Sequence, residues 1–515
     1  MIFLAFIIGI YSYVILLLGM FSLLYPVPVI VATIPFAIAL FYLIHKKTSK
    51  FKFIYALDNS EKAILLMLVI AVGVNAIGAL GPELAFDALW YHATFAKIYA
   101  LNHAISYLPG NLFYYSLMPR LAEMLFTPAF VFDLYNFSKL IHFGFGIISI
   151  IMLYKFSRLY LSKKLSFFVI LVFYTNLVVM WLSTTAYTDL VRAFFEIGAF
   201  YYFIIYWREN SKKMLLFASL FLGFAICTKL ISIGTLFIFV ICIICRKKES
   251  RENINDSLWL ITVSLGLAMP WFVISFFYKA NPFYPLFSDL NLPYSPISLL
   301  SPFTFLKTMT NIFLFSPDPV SPFYMSLLPL IAFKSKYIIQ KYKILFFLAL
   351  ISYIMWYFTS QTGGARFLTS YLPLYTILGV LALDRFKKKT VTVFATICIV
   401  IVGVNISYRF VANTKYIPVI FGIQSRQDFL LGHLNFNFGD FYDENGEISQ
   451  IVGDDKVLLL NMHNLYYIDF PFIIPEWNDR DYKYVLVQKM DLPNKYGKAL
   501  LIYKNDKTHV TLYKL

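Results

Sequence analysis

The sequence predicts a mainly α-helical, polytopic membrane protein with a small α/β extracytoplasmic domain at its C-terminal end. Three observations predict it. Of the 515 residues, 60% are hydrophobic and 14% charged, with a mean hydropathy of +0.70, whereas soluble domains are near half apolar and a quarter charged. Apolar stretches close to the length that crosses a bilayer as a helix recur along residues 1–410. From residue 411 onward acidic residues and short β-rich runs take their place. The 54 Phe and 38 Tyr exclude a disordered chain, because so much aromatic surface cannot stay solvated.

Taken in order, the candidate spans are 1–24, 27–45, 63–80, 134–156, 165–182, 190–207, 214–228, 230–245, 257–278, 344–358, 367–383 and 391–410, with a weaker one at 323–333. That makes about thirteen. The first stretch has no charged n-region or cleavage motif and reads as a retained helix. Residues 81–133 carry too many polar and aromatic side chains to span. Read as one helix, 84–101 puts Phe86, Leu89, Trp90, Ala93 and Ala100 toward one side, as expected of a helix lying along the outer interface. Residues 279–322, rich in Pro, Asn and aromatics, form a second outer loop. The division is therefore a membrane unit at 1–410 and an outer unit at 411–515. In the latter a helix at 425–434 precedes strand-like runs at 456–461, 482–488, 498–505 and 508–514.

The formal charge of +16 would suggest nucleic acid in a soluble protein. Here more than half of the 44 Lys and Arg fall into short runs between apolar stretches, at 46–62, 155–164, 208–213, 246–251, 334–343 and 384–389. Short cytoplasmic loops collect Lys and Arg in this way. The charge therefore reports topology, with the N-terminus inside and everything after residue 411 outside, and gives no sign of a nucleic-acid partner. Cys227, Cys242, Cys245 and Cys398 all lie in apolar stretches without metal-like spacing and read as core residues.

Ionisable groups at membrane depth are costly, which makes each a functional candidate. Glu83 and Asp87 stand at i and i+4 on the expected interface helix, with Tyr91 a further turn on. This places two carboxylates on one face near bilayer level, suited to general-base work or simply to meeting water. His92 follows Tyr91 but points about 140° away from Asp87 on an ideal helix. Asp189 lies in a short outer loop with Arg192 three residues on. A local salt bridge between them and an active-site acid facing Asp87 both stay open. Lys229 sits alone between two apolar stretches, placed either to snorkel or to hold an anionic headgroup. Arg366 follows two glycines in TGGARFLTSY, a context in which backbone N–H groups and a planar guanidinium can grip phosphate. The histidines show no paired ligand spacing, so a metal formed by Asp87, His92, His103 or Glu123 has no motif behind it. No P-loop, dinucleotide fingerprint or Ser-His-Asp order is present.

Several stretches in their order resemble the GT-C superfamily of integral-membrane glycosyltransferases, within it the protein-mannosyltransferase and aminoarabinose-transferase-like group. They are FDALWYHATFAKIYALNHAI (86–105), LPGNLFYYSLMPRLAEMLF (108–126), TTAYTDLVRAFF (184–195), AICTKL (225–230), NPFYPLF (281–287) and TGGARFLTSYLPL (362–374). The resemblance implies a cell-membrane enzyme that takes a sugar from a polyprenyl-phosphate donor on the outer face and passes it to a lipid, glycan or protein acceptor. It makes Asp87 the catalytic base and Arg366 a donor-phosphate contact; Lys229, Tyr91 and His92 are the further candidates for donor binding. Where many relatives have Asp-Glu, this chain has Asp87-Ala88. That leaves the second acid and any divalent metal open and nominates Glu123 and Asp189 as secondary acids. The competing classes are a ligase or polymerase using diphosphate-linked glycans and a polytopic lipid-sugar transporter, which should show repeat symmetry. The topology has a direct check: a membrane-impermeant thiol reagent applied from outside should label a cysteine introduced near Asn445 and miss one near Lys388.

Overall fold

The computed structural model describes residues 1–48, 57–246, 249–288, 301–315, 320–359, 361–477 and 479–515. Parts of three expected segments, the basic runs at 46–62 and 246–251 and the outer loop 279–322, lie outside the described residues. Each expected span falls on helix, but the count changes. Among the described residues, eight helices are long and apolar enough to cross a membrane by themselves: Ile2–Met20, Pro26–Thr48, Asn59–Leu80, Phe137–Ser157, Asp189–Glu209, Ser250–Lys279, Ser335–Phe358 and Lys388–Thr414. Others of the expected spans are shorter pieces, among them Phe323–Phe333 and Leu372–Leu383, and a further short apolar helix, Leu121–Val131, lies in the stretch 81–133.

One expected span is broken, and the expected interruption at Lys229 between two others is present; both have local causes. The 165–182 stretch divides into Lys163–Tyr174 and Leu177–Leu182, with the Asn176 side chain accepting from Val178 N–H (3.1 Å) to start the second piece. The helix Lys212–Thr228 ends at Lys229, whose backbone is extended (φ −155°, ψ 122°) before the chain resumes as Ile233–Ile244. Helix Asp189–Glu209 is the central one, with 78% of its apolar window buried against 6% for Pro26–Leu43, which faces outward. A face of the last helix is polar and turned inward: Asn405 donates to Thr175 O (2.9 Å), and Asn413 donates to Val74 O (2.8 Å). The Thr175 carbonyl stands where a neighbouring helix gives out, and lipid offers it no other donor; Val74 lies within helix Asn59–Leu80.

Beyond Thr414 the chain builds a five-stranded mixed sheet in the order β2-β1-β3-β5-β4. The strands are β1 Val457–Leu460, β2 Phe472–Ile473, β3 Tyr484–Gln488, β4 Leu500–Asn505 and β5 Val510–Lys514. β1 pairs parallel with β2 and β3, while β5 pairs antiparallel with β3 and β4. The four strand-like runs and the helix (Arg426–His433) match the expectation, and β2 is the strand that two residues were too few to announce. All five residues of β3 are buried. Leu486 and Leu512 face the helical side with Phe429 and Ile448, and Val485 and Val487 face Leu458 and Ile473. Covered on both faces, the central strand reads as a continuous apolar run. Leu486→Ala should lower stability by about 2–5 kcal/mol, visible as a lower unfolding temperature of the detergent-purified chain.

The C-terminal segment is fastened to the stretch 81–133 by polar bonds, most of them buried. Lys97 Nζ donates to Tyr466 O (2.8 Å), Ile468 O (2.8 Å) and Asp469 Oδ1 (2.6 Å). The Tyr467 hydroxyl donates to Glu83 O (2.7 Å), and Trp477 Nε1 donates to Pro109 O (3.1 Å). Gly110, at φ +109°, lets the loop pass Glu476 closely: a Cβ there would lie 2.9 Å from the Glu476 Cβ.

Candidate active site

The interface helix differs from the expected one in a way that matters for the acids. It starts at Phe86, runs through a π-turn at Ala88–His92 and continues as Ala93–Leu101. π-turns displace side chains from ideal helical positions and recur at functional sites. Glu83 precedes the helix, so the two carboxylates do not share a helical face. Glu83 Oε1 accepts from Leu84 N–H (2.9 Å) and Ala85 N–H (2.8 Å), and Oε2 accepts from Ala186 N–H (2.6 Å). It joins two loops. The expected common face also divides: Leu89, Ala93 and Ala100 are buried in the core, whereas Phe86 and Trp90 stand half-exposed.

Asp87 meets Arg366. The guanidinium Nη1 lies 2.7 Å from Asp87 Oδ2, between residues 279 apart in sequence, and both side chains are mostly buried. Tyr91, one turn on as expected, donates its hydroxyl to the same oxygen at 3.3 Å. The Asp87 backbone N–H donates to the Tyr187 hydroxyl (3.0 Å), and the Tyr187 ring lies 4.8 Å from the Arg366 guanidinium. Arg366 reaches this position from the turn Gln361–Leu368, in which Gly364 adopts φ +50°, ψ −133°, a conformation open to glycine. Asp189 forms a second pair, with Lys229 (Nζ to Oδ1, 2.9 Å), and its other oxygen is buried without a hydrogen-bond partner. The local Asp189–Arg192 bridge does not form. Arg192 instead pairs with Glu196 (3.0 Å) and donates from Nη1 to Phe367 O (3.3 Å), next to Arg366. Lys229 also lies 4.6 Å from the Phe367 ring. The two ion pairs thus share one rim, and the Arg366 charge acts on both Asp87 and Asp189.

His92 and Glu123 form a third pair (Nδ1 to Oε1, 2.6 Å), buried behind the Tyr187 ring at 5.7 Å from the imidazole. The structure brings together Asp87, Tyr91 and Arg366, and separately Asp189 with Lys229; it sets Glu123 against His92 and neither against Asp87. Among the described residues no group of three His, Cys, Asp or Glu side chains is placed to hold a metal ion.

Two residues that hold this site in place, Lys139 and His142, escaped the sequence reading. Lys139 Nζ, fully buried, donates to Gly78 O (2.8 Å), Gly81 O (2.9 Å) and Pro82 O (3.1 Å), where Asn59–Leu80 ends just before Glu83. His142, one turn further on the same helix, donates from Nδ1 to Leu182 O and Thr185 O (2.9 Å each). Its Nε2 accepts from Leu190 N–H (2.9 Å), which assigns the neutral Nδ1–H tautomer. Tyr187 and Asp189 lie on the turn that His142 secures. Lys139 and His142 are ionisable residues inside an apolar stretch, the very signal that singled out Lys229, and it was present in NFSKLIHFG (136–144).

Spanning helices, a rim of paired acids and cations and a docked C-terminal segment make up a multi-pass membrane protein. Residues 136–274, which include Lys139, His142, Asp189 and Lys229, match the family Dolichyl-phosphate-mannose-protein mannosyltransferase. ArnT from Cupriavidus metallidurans has the same fold: its apo structure aligns with a TM-score of 0.59 over 88% of this chain and 98% of that one, at 11% identity. The same enzyme bound to undecaprenyl phosphate aligns with a TM-score of 0.58 at 12% identity and the same coverage. The oligosaccharyltransferase of Archaeoglobus fulgidus aligns at a TM-score of 0.47, with 10% identity over 82% of this chain and 69% of that one. No curated protein sequence matches.

Glu83 offers a test of how the two loops are joined. Glu83→Gln replaces one of its acceptor oxygens by an NH2 group, which must then face a backbone N–H. It should cost about 1–3 kcal/mol of stability, and it should lower transfer activity together with the unfolding temperature.

Proposed function

We propose that the protein transfers a sugar from a polyprenyl-phosphate donor to an acceptor hydroxyl on the outer face of the membrane, with inversion at the anomeric carbon. The observation that carries this reading is the Asp87–Arg366 pair at 2.7 Å, set beside Asp189–Lys229 at 2.9 Å. It combines a carboxylate with two cations at the ends of spanning helices, where a lipid phosphate would lie. The family match carries a dolichyl phosphate in its name, and ArnT has been solved with undecaprenyl phosphate. Both support a lipid-phosphate donor here.

In the reaction the acceptor oxygen bonds to the anomeric carbon as the bond from that carbon to the phosphate oxygen breaks. The hydroxyl proton passes to Asp87, and polyprenyl phosphate leaves with the negative charge. Arg366 uses Nη1 on Asp87, so its remaining N–H groups are available to the phosphate, while Lys229 adds a second positive charge at the same rim. Tyr91 steadies Asp87 through its hydroxyl. Asp189 holds Lys229, and Glu123 holds His92; both act as positioning groups. With the basic runs in the cytoplasm, the rim and the sheet beyond Thr414 face outward, and the membrane unit at 1–410 carries the chemistry.

Asp87→Asn keeps the shape of the side chain but cannot take a proton. Transfer from a radiolabelled polyprenyl-phosphate sugar should fall about 10²–10⁴-fold while the donor still binds; near-normal turnover would remove Asp87 from the mechanism. Arg366→Lys keeps the charge and loses the planar fork, so the donor dissociation constant should rise appreciably. An unchanged constant in Arg366→Ala would make that residue an anchor only.

A further inference from the structure

Beside the charged rim, four aromatic rings from two distant parts of the chain gather next to Asp87. The His463 ring stacks on Phe86 (4.9 Å, 21°) and leans over Trp90 at 4.3 Å, while Phe438 packs against Phe86 at 5.4 Å. Phe86 immediately precedes Asp87, and Trp90 contacts Tyr91, whose hydroxyl bonds the Asp87 carboxylate. Phe438 is 64% exposed, and Phe86, Trp90 and His463 are half-buried.

The loops that present Phe438 and His463 are built to bring them there. Gly439, at φ +91°, lies so close that a Cβ would stand 2.8 Å from the His463 Cβ. Asp440 Oδ2 accepts from Asn435 N–H (2.6 Å) and Oδ1 from the Asn464 side chain (2.5 Å), tying one loop to the other. His463 Nδ1 lies 3.1 Å from Asn464 Oδ1, an acceptor, so Nδ1 carries the proton and Nε2 is an acceptor. The arrangement is a rigid aromatic surface with a polar rim, open to water beside a reactive carboxylate. Exposed apolar surface of this kind marks interaction sites.

We propose that Phe86, Trp90, Phe438 and His463 form the acceptor subsite and that its ligand is a pyranose ring. A pyranose offers a face of C–H groups for the rings and hydroxyls at its edge for His463 Nε2; an extended peptide bearing Ser or Thr offers no such face. The donor phosphate then reaches Asp87 from the span ends, where Arg366 and Lys229 lie, and the acceptor reaches it from the C-terminal segment. This inference rests on the proposed transferase reaction and names its acceptor class.

Saturation-transfer NMR on the full-length protein in detergent tests it. The probes are methyl α-glucoside, α-mannoside and α-galactoside, with a short Thr-containing peptide for contrast. Saturation should appear on the ring C–H protons of at least one glycoside. It should fall about threefold to tenfold in Phe438→Ala and His463→Ala, as expected for loss of one aromatic contact, and persist in Phe438→Tyr, which keeps the ring on an exposed position. Saturation of the peptide with none on any glycoside would overturn the proposal. So would a Phe438→Ala/His463→Ala variant that saturates the glycosides like the unaltered protein. Binding of polyprenyl phosphate to the unaltered protein is measured alongside; its absence would count against the donor reading and leave the ring result standing by itself.

Discussion

Asp87 and Arg366 meet at 2.7 Å in a site that is mostly out of water. There an unpaired charge would cost several kcal/mol, and a paired one is retained only if its geometry is held. The rest of the structure answers to that requirement. Arg366 needs a turn that glycine permits and a neighbour, Phe367, whose carbonyl is tied to Arg192. Asp87 needs a backbone N–H bonded to Tyr187, and Tyr187 needs the turn that His142 secures. Without these supports the pair is less firmly held, and the proposed transfer of a proton to Asp87 from one defined hydroxyl tolerates little drift.

The site forms where helices stop or break. Each break strands backbone carbonyls or N–H groups that neither lipid nor an intact helix can satisfy. Buried polar side chains take them up. Lys139 collects three carbonyls at the end of Asn59–Leu80, His142 collects two carbonyls and an N–H around Leu182–Leu190, and Asn405 takes the Thr175 carbonyl at the divided span. The residues that solve this hydrogen-bonding problem are also those that aim the acids. Structure and function are therefore hard to separate here by single substitutions, and readouts of donor binding are needed beside turnover.

The C-terminal sheet is more than an appendage. Tyr467 bonds the Glu83 carbonyl, Tyr466 N–H bonds the Leu89 carbonyl (3.3 Å), and Lys97 clasps the 466–469 loop, so the stretch 83–97 is held by the C-terminal segment as well as by the helices. The π-turn at Ala88–His92 lies between these two supports. That is where a helix is most easily kept in a local geometry it would not adopt by itself.

Periodicity and charge, read from the sequence alone, determined where helices lie, that lipid surrounds them, that Lys229 separates two apolar stretches, that four strands follow Thr414, and that Asp87 and Tyr91 are neighbours. All of these are encoded within a turn or two of chain. The tertiary structure decided the partners. Asp189 chose Lys229, 40 residues away, over Arg192 three residues away, because helix Asp189–Glu209 directs Arg192 toward Glu196 and the Phe367 carbonyl. Glu83 left the helix that its i, i+4 spacing to Asp87 suggested, because the Ala186 N–H on a packed neighbouring loop is a better use of a buried carboxylate than a helical face. The two-residue strand Phe472–Ile473 exists through β1, its neighbour in the sheet. Helical spacing reports which residues are adjacent along one element. Which charge faces which across the bilayer rim depends on where separate elements end, and that is settled by packing.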